Sequence, residues 1–197
     1  MPVPGFAAPD TQSADAFRQI LEAVSRPGHI KTLVGLEQAP PPLHLTTAIL
    51  LLTLADMDTP LWLDAPLDNA AVAGFLRFHC GAPLVESRAR AAFAVIADPQ
   101  SVGPLDAFSL GTPEYSDRST TLIVQVDALQ PAGSLILTGP GIETDHRLGV
   151  SPDHPPFWAE LSANHRRFPM GCDVIFAAPN AIAAIPRSTT IQFEEHS

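Results

Sequence analysis

Lysine is nearly missing from this chain of 197 residues: ten of its 11 basic side chains are arginine, and Lys31 stands alone. Pyridoxal phosphate is held as a Schiff base to a lysine. Lys31 follows the Pro27–Gly28 break at the start of an expected strand, where a solvated side chain is expected, so pyridoxal chemistry is disfavoured. Cysteine is scarce too. Cys80 and Cys172 lie almost half the chain apart in segments that read as buried, which implies no disulfide framework. Positive charge is in deficit, with 21 acidic against 11 basic residues and a net charge of −10. A broad phosphate-tracking surface is thereby excluded, and nucleic acid with it. No run approaches the ~20 apolar residues of a membrane span, and "MPVPGFAAPDTQSADAF" lacks the basic residue and apolar core of a secretory signal. A soluble, cytoplasmic protein is the expectation.

Catalytic signatures are also lacking. The chain has no G-x-x-x-x-G-K-[ST], G-x-G-x-x-G or G-x-S-x-G, and no C-x-x-C or H-x-x-x-H pair. Self-contained nucleotide hydrolysis, dinucleotide binding, esterase chemistry and a bound metal each lose their usual marker.

What is present describes one globular domain. Only 16% of residues are charged while 46% are hydrophobic, a balance that suggests a surface partly covered by a partner. Residues 1–12 read as an arm, followed by a single domain over 13–197. Ser13 is the expected N-cap of a first helix whose apolar face is Phe17, Ile20, Leu21 and Val24, ended by Pro27 and Gly28. Residues 29–36 read as a strand. The segment 45–60, apolar on nearly every side, reads as a helix buried against a sheet. "PLWLD" is a short strand, and Asp68 or Asn69 caps a helix carrying Val72, Phe75, Leu76 and His79, closed by Gly81. The β-branched runs at 91–97, 120–126, 133–139, 172–178 and 181–191 read as strands, with a helix opened by Pro156 between the third and fourth. Helices early and strands late give an α/β fold, a mixed sheet covered by helices on both faces.

Several residues invite a chemical reading. His79 and Cys80 are neighbours, but side chains adjacent on a helix point about 100° apart. His79 then continues the packing stripe and is only a remote candidate acid. "GPGI" at 139–142 reads as a tight turn, because Pro140 has no N–H to give a phosphate. Asp56 and Asp58 read as turn-forming caps. Asp173 interrupts an apolar strand and must be paired, bonded or at an edge; Arg187 is a possible partner.

Taken in order, "FRQILEAVSRPG", "LLTLADMDTPLWL", "LRFHCGAPLV", "GTPEYSDRSTTLIVQV", "LILTGPGI", "FPMGCDVIF" and "IAAIPRSTTI" resemble the H subunits of bacterial carbon–phosphorus lyase core complexes, over about Ser13 to Ile191. The resemblance implies a fold similar to the large domain of pyridoxal-phosphate-dependent transferases, without that cofactor. It implies a homodimer that joins G, I and J subunits and an ATP-binding-cassette partner. The complex replaces the adenine of ATP, taken with magnesium, by an alkylphosphonate; the product is a ribose 1-phosphonate 5-triphosphate. Radical cleavage of the carbon–phosphorus bond follows on the iron–sulfur J subunit, and two lone cysteines here cannot hold such a cluster. No catalytic motif carries over residue by residue. Adenine displacement needs cations around the triphosphate and phosphonate, and an acid for the leaving base. Arg26, Arg77 and Arg187, each near a Pro or Gly break, are the candidate anion contacts, and His79 and Asp173 the weak catalytic candidates. The favoured expectation is a structural or assembly role; the alternative is residues in a shared active site, or a nucleotide or phosphonate site of the chain's own.

Overall fold

The computed structural model describes residues 3–193. Residues 1 and 2 of the expected arm and the last four residues of the chain lie outside it. The first helix, α1 (Pro9–Ser25), starts five residues earlier than expected, with Ala8 rather than Ser13 at the N-cap position. Proline at the first position needs no N–H partner there, so Ser13 sits inside the helix and caps nothing. The arm is shortened to the residues before Pro9.

α2 (Leu45–Leu54) is buried along its first two turns, as its all-round apolarity demands. Its start is tied to the sheet: the His44 N–H donates to Gln125 Oε1 at 2.7 Å, and the Thr46 hydroxyl donates to the Ala178 carbonyl. The helix stops at Leu54, before the two aspartates. α3 (Ala70–His79) is capped by Asn69, whose side chain accepts the N–H groups of Ala71 and Val72. It closes where Gly81 takes a φ of 67° and its N–H returns to the Leu76 carbonyl at 3.1 Å, a left-handed position that favours glycine.

β1 (Lys31–Thr32), β2 (Leu61–Leu63), β3 (Phe93–Ile96), β4 (Thr121–Gln125), β7 (Asp173–Ala177) and β8 (Ala181–Ile185) form one sheet in the order β1-β8-β7-β4-β3-β2. The four strands β2, β3, β4 and β7 are parallel, and β8 and β1 add antiparallel. The sheet is mixed, as expected. Its residues alternate between two cores. Val95, Ile123, Ile175 and Ala184 meet α1, α2 and α3 on one face. Ala94, Leu122, Val174, Phe176 and Ile185 form the other core.

The second face departs from the expected helical cover. One helix, α4 (Pro155–His165), shares it with a second sheet built from β5 (Ala128–Thr138), β6 (His146–Ser151) and β9 (Thr190–Phe193). Phe157, Trp158 and Leu161 of α4 join Leu135, Leu137, Leu148 and Ile191 of this sheet in one buried cluster. The run 181–191 is therefore two strands in two sheets, split at Pro186, because proline cannot donate to a continuing ladder. β6 carries a glycine and two basic residues and gave no strand signal. β1 keeps only two residues of the expected 29–36, as the chain leaves the sheet edge at Leu33.

Candidate functional site

α1 rests on the sheet through Ala16, Ile20 and Ala23, spaced i, i+4 and i+7. This is not the expected face. Only Ile20 is shared with it; Phe17, Leu21 and Val24 point outward, 49%, 56% and 37% exposed. Two alanines let the helix lie close to α2 and β8, which turns the larger side chains to the flank. There they border an apolar groove of about 240 Å³, whose other wall is Leu54, Phe93 and Pro186. The first residues of β4 and β7, Thr121 and Asp173, reach the same groove.

Asp173 is paired with Arg187, as its position in an apolar strand required. One carboxylate oxygen accepts the Arg187 backbone N–H at 2.8 Å and its Nε at 3.1 Å; the other accepts Nη2. The remaining arm of the guanidinium, Nη1, donates to the Ser116 carbonyl at 2.6 Å. Arg187 thus spends its fork inside the protein, on an anion the chain already supplies.

The other candidates lie elsewhere. Arg26 ends α1 with its side chain 60% exposed and 3.9 Å from Glu22. Arg77 and His79 occupy the last turn of α3, where the helix dipole favours positive charge. Arg77 is exposed. His79 packs on Phe75 and Phe78, and its Nε2–H donates to the Val3 carbonyl at 2.9 Å, which pins the arm. Of the five candidates, Asp173 and Arg187 are the pair in contact.

Lys31 is only partly exposed, not the free solvated side chain expected. Its side chain is 22% exposed and ion-paired to Glu22, whose pKa is lowered chiefly by that bond. The two thiols are poor nucleophiles, for burial pushes Cys80 up to about 11 and Cys172 to about 12. Asp56 forms the expected turn, accepting the Asp58 N–H and the Thr59 hydroxyl. "GPGI" is a turn closed by the Ile142 N–H on the Gly139 carbonyl. Gly141 has a φ of 84°, and a Cβ there would stand 2.3 Å from the Ser25 carbonyl oxygen at the end of α1.

Sequence reasoning passed over Asp64, 6% exposed at the end of β2. Its carboxylate accepts the N–H groups of Ala65 and Ala97 and the Ser101 hydroxyl. The Ala97 bond ties the end of β2 to the end of β3 and the Ser101 bond holds the turn that follows β3, so its role is structural. Among the described residues no three His, Cys, Asp or Glu come together as a metal-holding group, and no helix is long and apolar enough to cross a membrane.

Comparison with known proteins gives the chain its relatives. It is 36% identical over 191 residues to the alpha-D-ribose 1-methylphosphonate 5-triphosphate synthase subunit PhnH of Rhizobium meliloti, covering 96% of this chain and 94% of that one. It is 31% identical to the putative C-P lyase subunit protein HtxG of Stutzerimonas stutzeri, covering 96% and 89%. The sequence pattern of the family described as bacterial phosphonate metabolism protein (PhnH) matches residues 4–192. Over nearly its whole length, the chain belongs to that family.

Proposed function

We propose that this chain is a subunit of the carbon–phosphorus lyase machinery of phosphonate catabolism, and that its role there is assembly. The reaction served is the synthase step, transfer of the ribose triphosphate of ATP, supplied with magnesium, to an alkylphosphonate with release of adenine. The activity belongs to the complex. In this reading the chain acts in the cytoplasm as a homodimer joined to G, I and J subunits and to an ATP-binding-cassette partner. Its sheet and helices are akin to the large domain of pyridoxal-phosphate-dependent transferases, with Lys31 tied to Glu22 and no pyridoxal phosphate bound.

One observation carries the reading: Phe17, Leu21 and Val24 form an exposed apolar stripe along the groove. Exposed apolar surface of this kind, contiguous and backed by a cleft, marks contact with another protein. The catalytic candidates support it from the other side, because His79 is engaged with Val3 and Asp173 with Arg187.

A charge on the stripe tests the proposal. The double variant Phe17→Glu/Leu21→Glu should fold with unchanged thermal stability, because both side chains already face water. It should lose co-purification with the other subunits and growth on methylphosphonate as sole phosphorus source. Wild-type assembly and growth would refute an assembly role for this surface.

A further inference from the structure

The parallel strands of the main sheet start at one edge, and arginines collect there. Phe93, Thr121 and Asp173 stand in register as the first residues of β3, β4 and β7. The segments that enter these strands carry Arg90, Arg118, and Arg166 with Arg167. Hydrogen bonds join those segments into one rim. The Thr120 hydroxyl donates to the Ala91 carbonyl at 2.7 Å, the Ser109 hydroxyl to the Arg118 carbonyl at 3.0 Å, and the Gly171 N–H to the Leu110 carbonyl at 2.9 Å. Arg187 closes it through Ser116 and neutralises Asp173.

The rim differs from an ordinary scatter of surface charge in two ways. First, none of its four arginines has a carboxylate partner among the described residues, although acidic groups outnumber basic ones almost two to one in the chain. Glu114 and Asp117 lie on the loop before β4, and neither is ion-paired to the rim. Second, two large aromatic side chains are exposed beside it: Tyr115, 51% exposed with the Arg118 guanidinium 4.1 Å from its ring centroid, and Phe168, 58% exposed next to Arg167.

We infer that this edge is a binding site for a nucleoside triphosphate, its phosphates spread over Arg90, Arg118, Arg166 and Arg167 and its base laid on an exposed aromatic face. From β3 to β7 is two strand spacings, about 10 Å, which suits an extended polyphosphate better than a single phosphate. Guanidinium forks bind phosphate oxygens in pairs, and an aromatic face stacks a base. The choice of a triphosphate rests on the synthase reading above, whereas the anion site rests on the rim itself.

Titration calorimetry of the full chain tests it with three probes: magnesium ATP, inorganic tripolyphosphate and adenosine. ATP and tripolyphosphate should bind, with affinity falling as salt rises, and adenosine should not. The double variants Arg90→Ala/Arg118→Ala and Arg166→Ala/Arg167→Ala should each weaken ATP binding tenfold or more. Arg18→Ala, on α1 and paired with Asp15, should leave it unchanged. Absence of ATP binding overturns the proposal, as do double variants that bind like the parent chain. So does a pattern in which the double variants lose only co-purification with partner subunits, which would make the rim a seat for an acidic protein face. Tripolyphosphate binding by a chain that fails to assemble would refute the assembly reading and leave the rim intact.

Discussion

At the scale of single residues, the Asp173–Arg187 pair shows how an apolar strand accommodates a charge. The arginine side chain is 14% exposed and the aspartate 30%, so the pair is largely removed from water and each partner needs the other. Asp173→Asn keeps the shape and removes the charge that Arg187 faces. It should cost about 1.5–3 kcal/mol of stability, the range for a hydrogen bond to a charged group, measured as a lower urea midpoint. Rescue by Arg187→Met, which removes the stranded cation, identifies the pair as the cause; an unchanged midpoint in Asp173→Asn would show that the pair contributes nothing. This contact was legible in the sequence, since a carboxylate between Cys172 and Val174 has to be met by something and Arg187 follows the next strand. The rim arginines were not legible. Arg90, Arg118 and Arg167 are separated by 28 and 49 positions in the chain, and only strand register brings them to one edge.

At the scale of elements, α1 is the instructive failure. Its strongest apolar spacing, Phe17, Ile20, Leu21 and Val24, predicts a buried face, and a helix normally turns its largest side chains inward. Here the tight packing comes from Ala16 and Ala23, both at most 2% exposed, because small side chains bring helix and sheet close together. The signal was present as a second i, i+4, i+7 series, but alanine is too weakly hydrophobic for periodicity to rank it first. Two substitutions separate the faces. Ala23→Leu forces four-carbon bulk into a closed contact and should cost about 1–3 kcal/mol. Leu21→Ala, a similar change of volume on the outer face, should stay within about 0.5 kcal/mol. Urea unfolding of both variants reads the difference, and the opposite order would restore the expected face. Elsewhere local chemistry sufficed: Asn69 and Gly81 bound α3 as read from the sequence. The second sheet was hidden because β6 lacks an apolar pattern and β9 was fused in sequence with β8.

At the scale of the whole molecule, the small sheet meets the α1 side of the protein at a pair of histidines. His29, between α1 and β1, stacks on His146, the first residue of β6, with ring centroids 4.3 Å apart and planes 12° from parallel. His29 has its pKa lowered below the ordinary 6.5, first by burial, then by His146, Arg26 and Lys31, with Glu22 opposing. A base with a depressed folded pKa takes up its proton more readily when unfolded. Its contribution to stability is therefore complete above pH 6.5 and is lost as the pH falls through that value. The joint should weaken in acid while other titrating groups add their own slopes. His29→Phe keeps a ring on His146 and removes the proton, so its stability should fall less steeply than the parent's between pH 7 and 5. Urea midpoints across that window measure the two slopes. Identical slopes would mean that His29 is free to charge in the folded protein, and that the stacking places no electrostatic load on the junction between the two sheets.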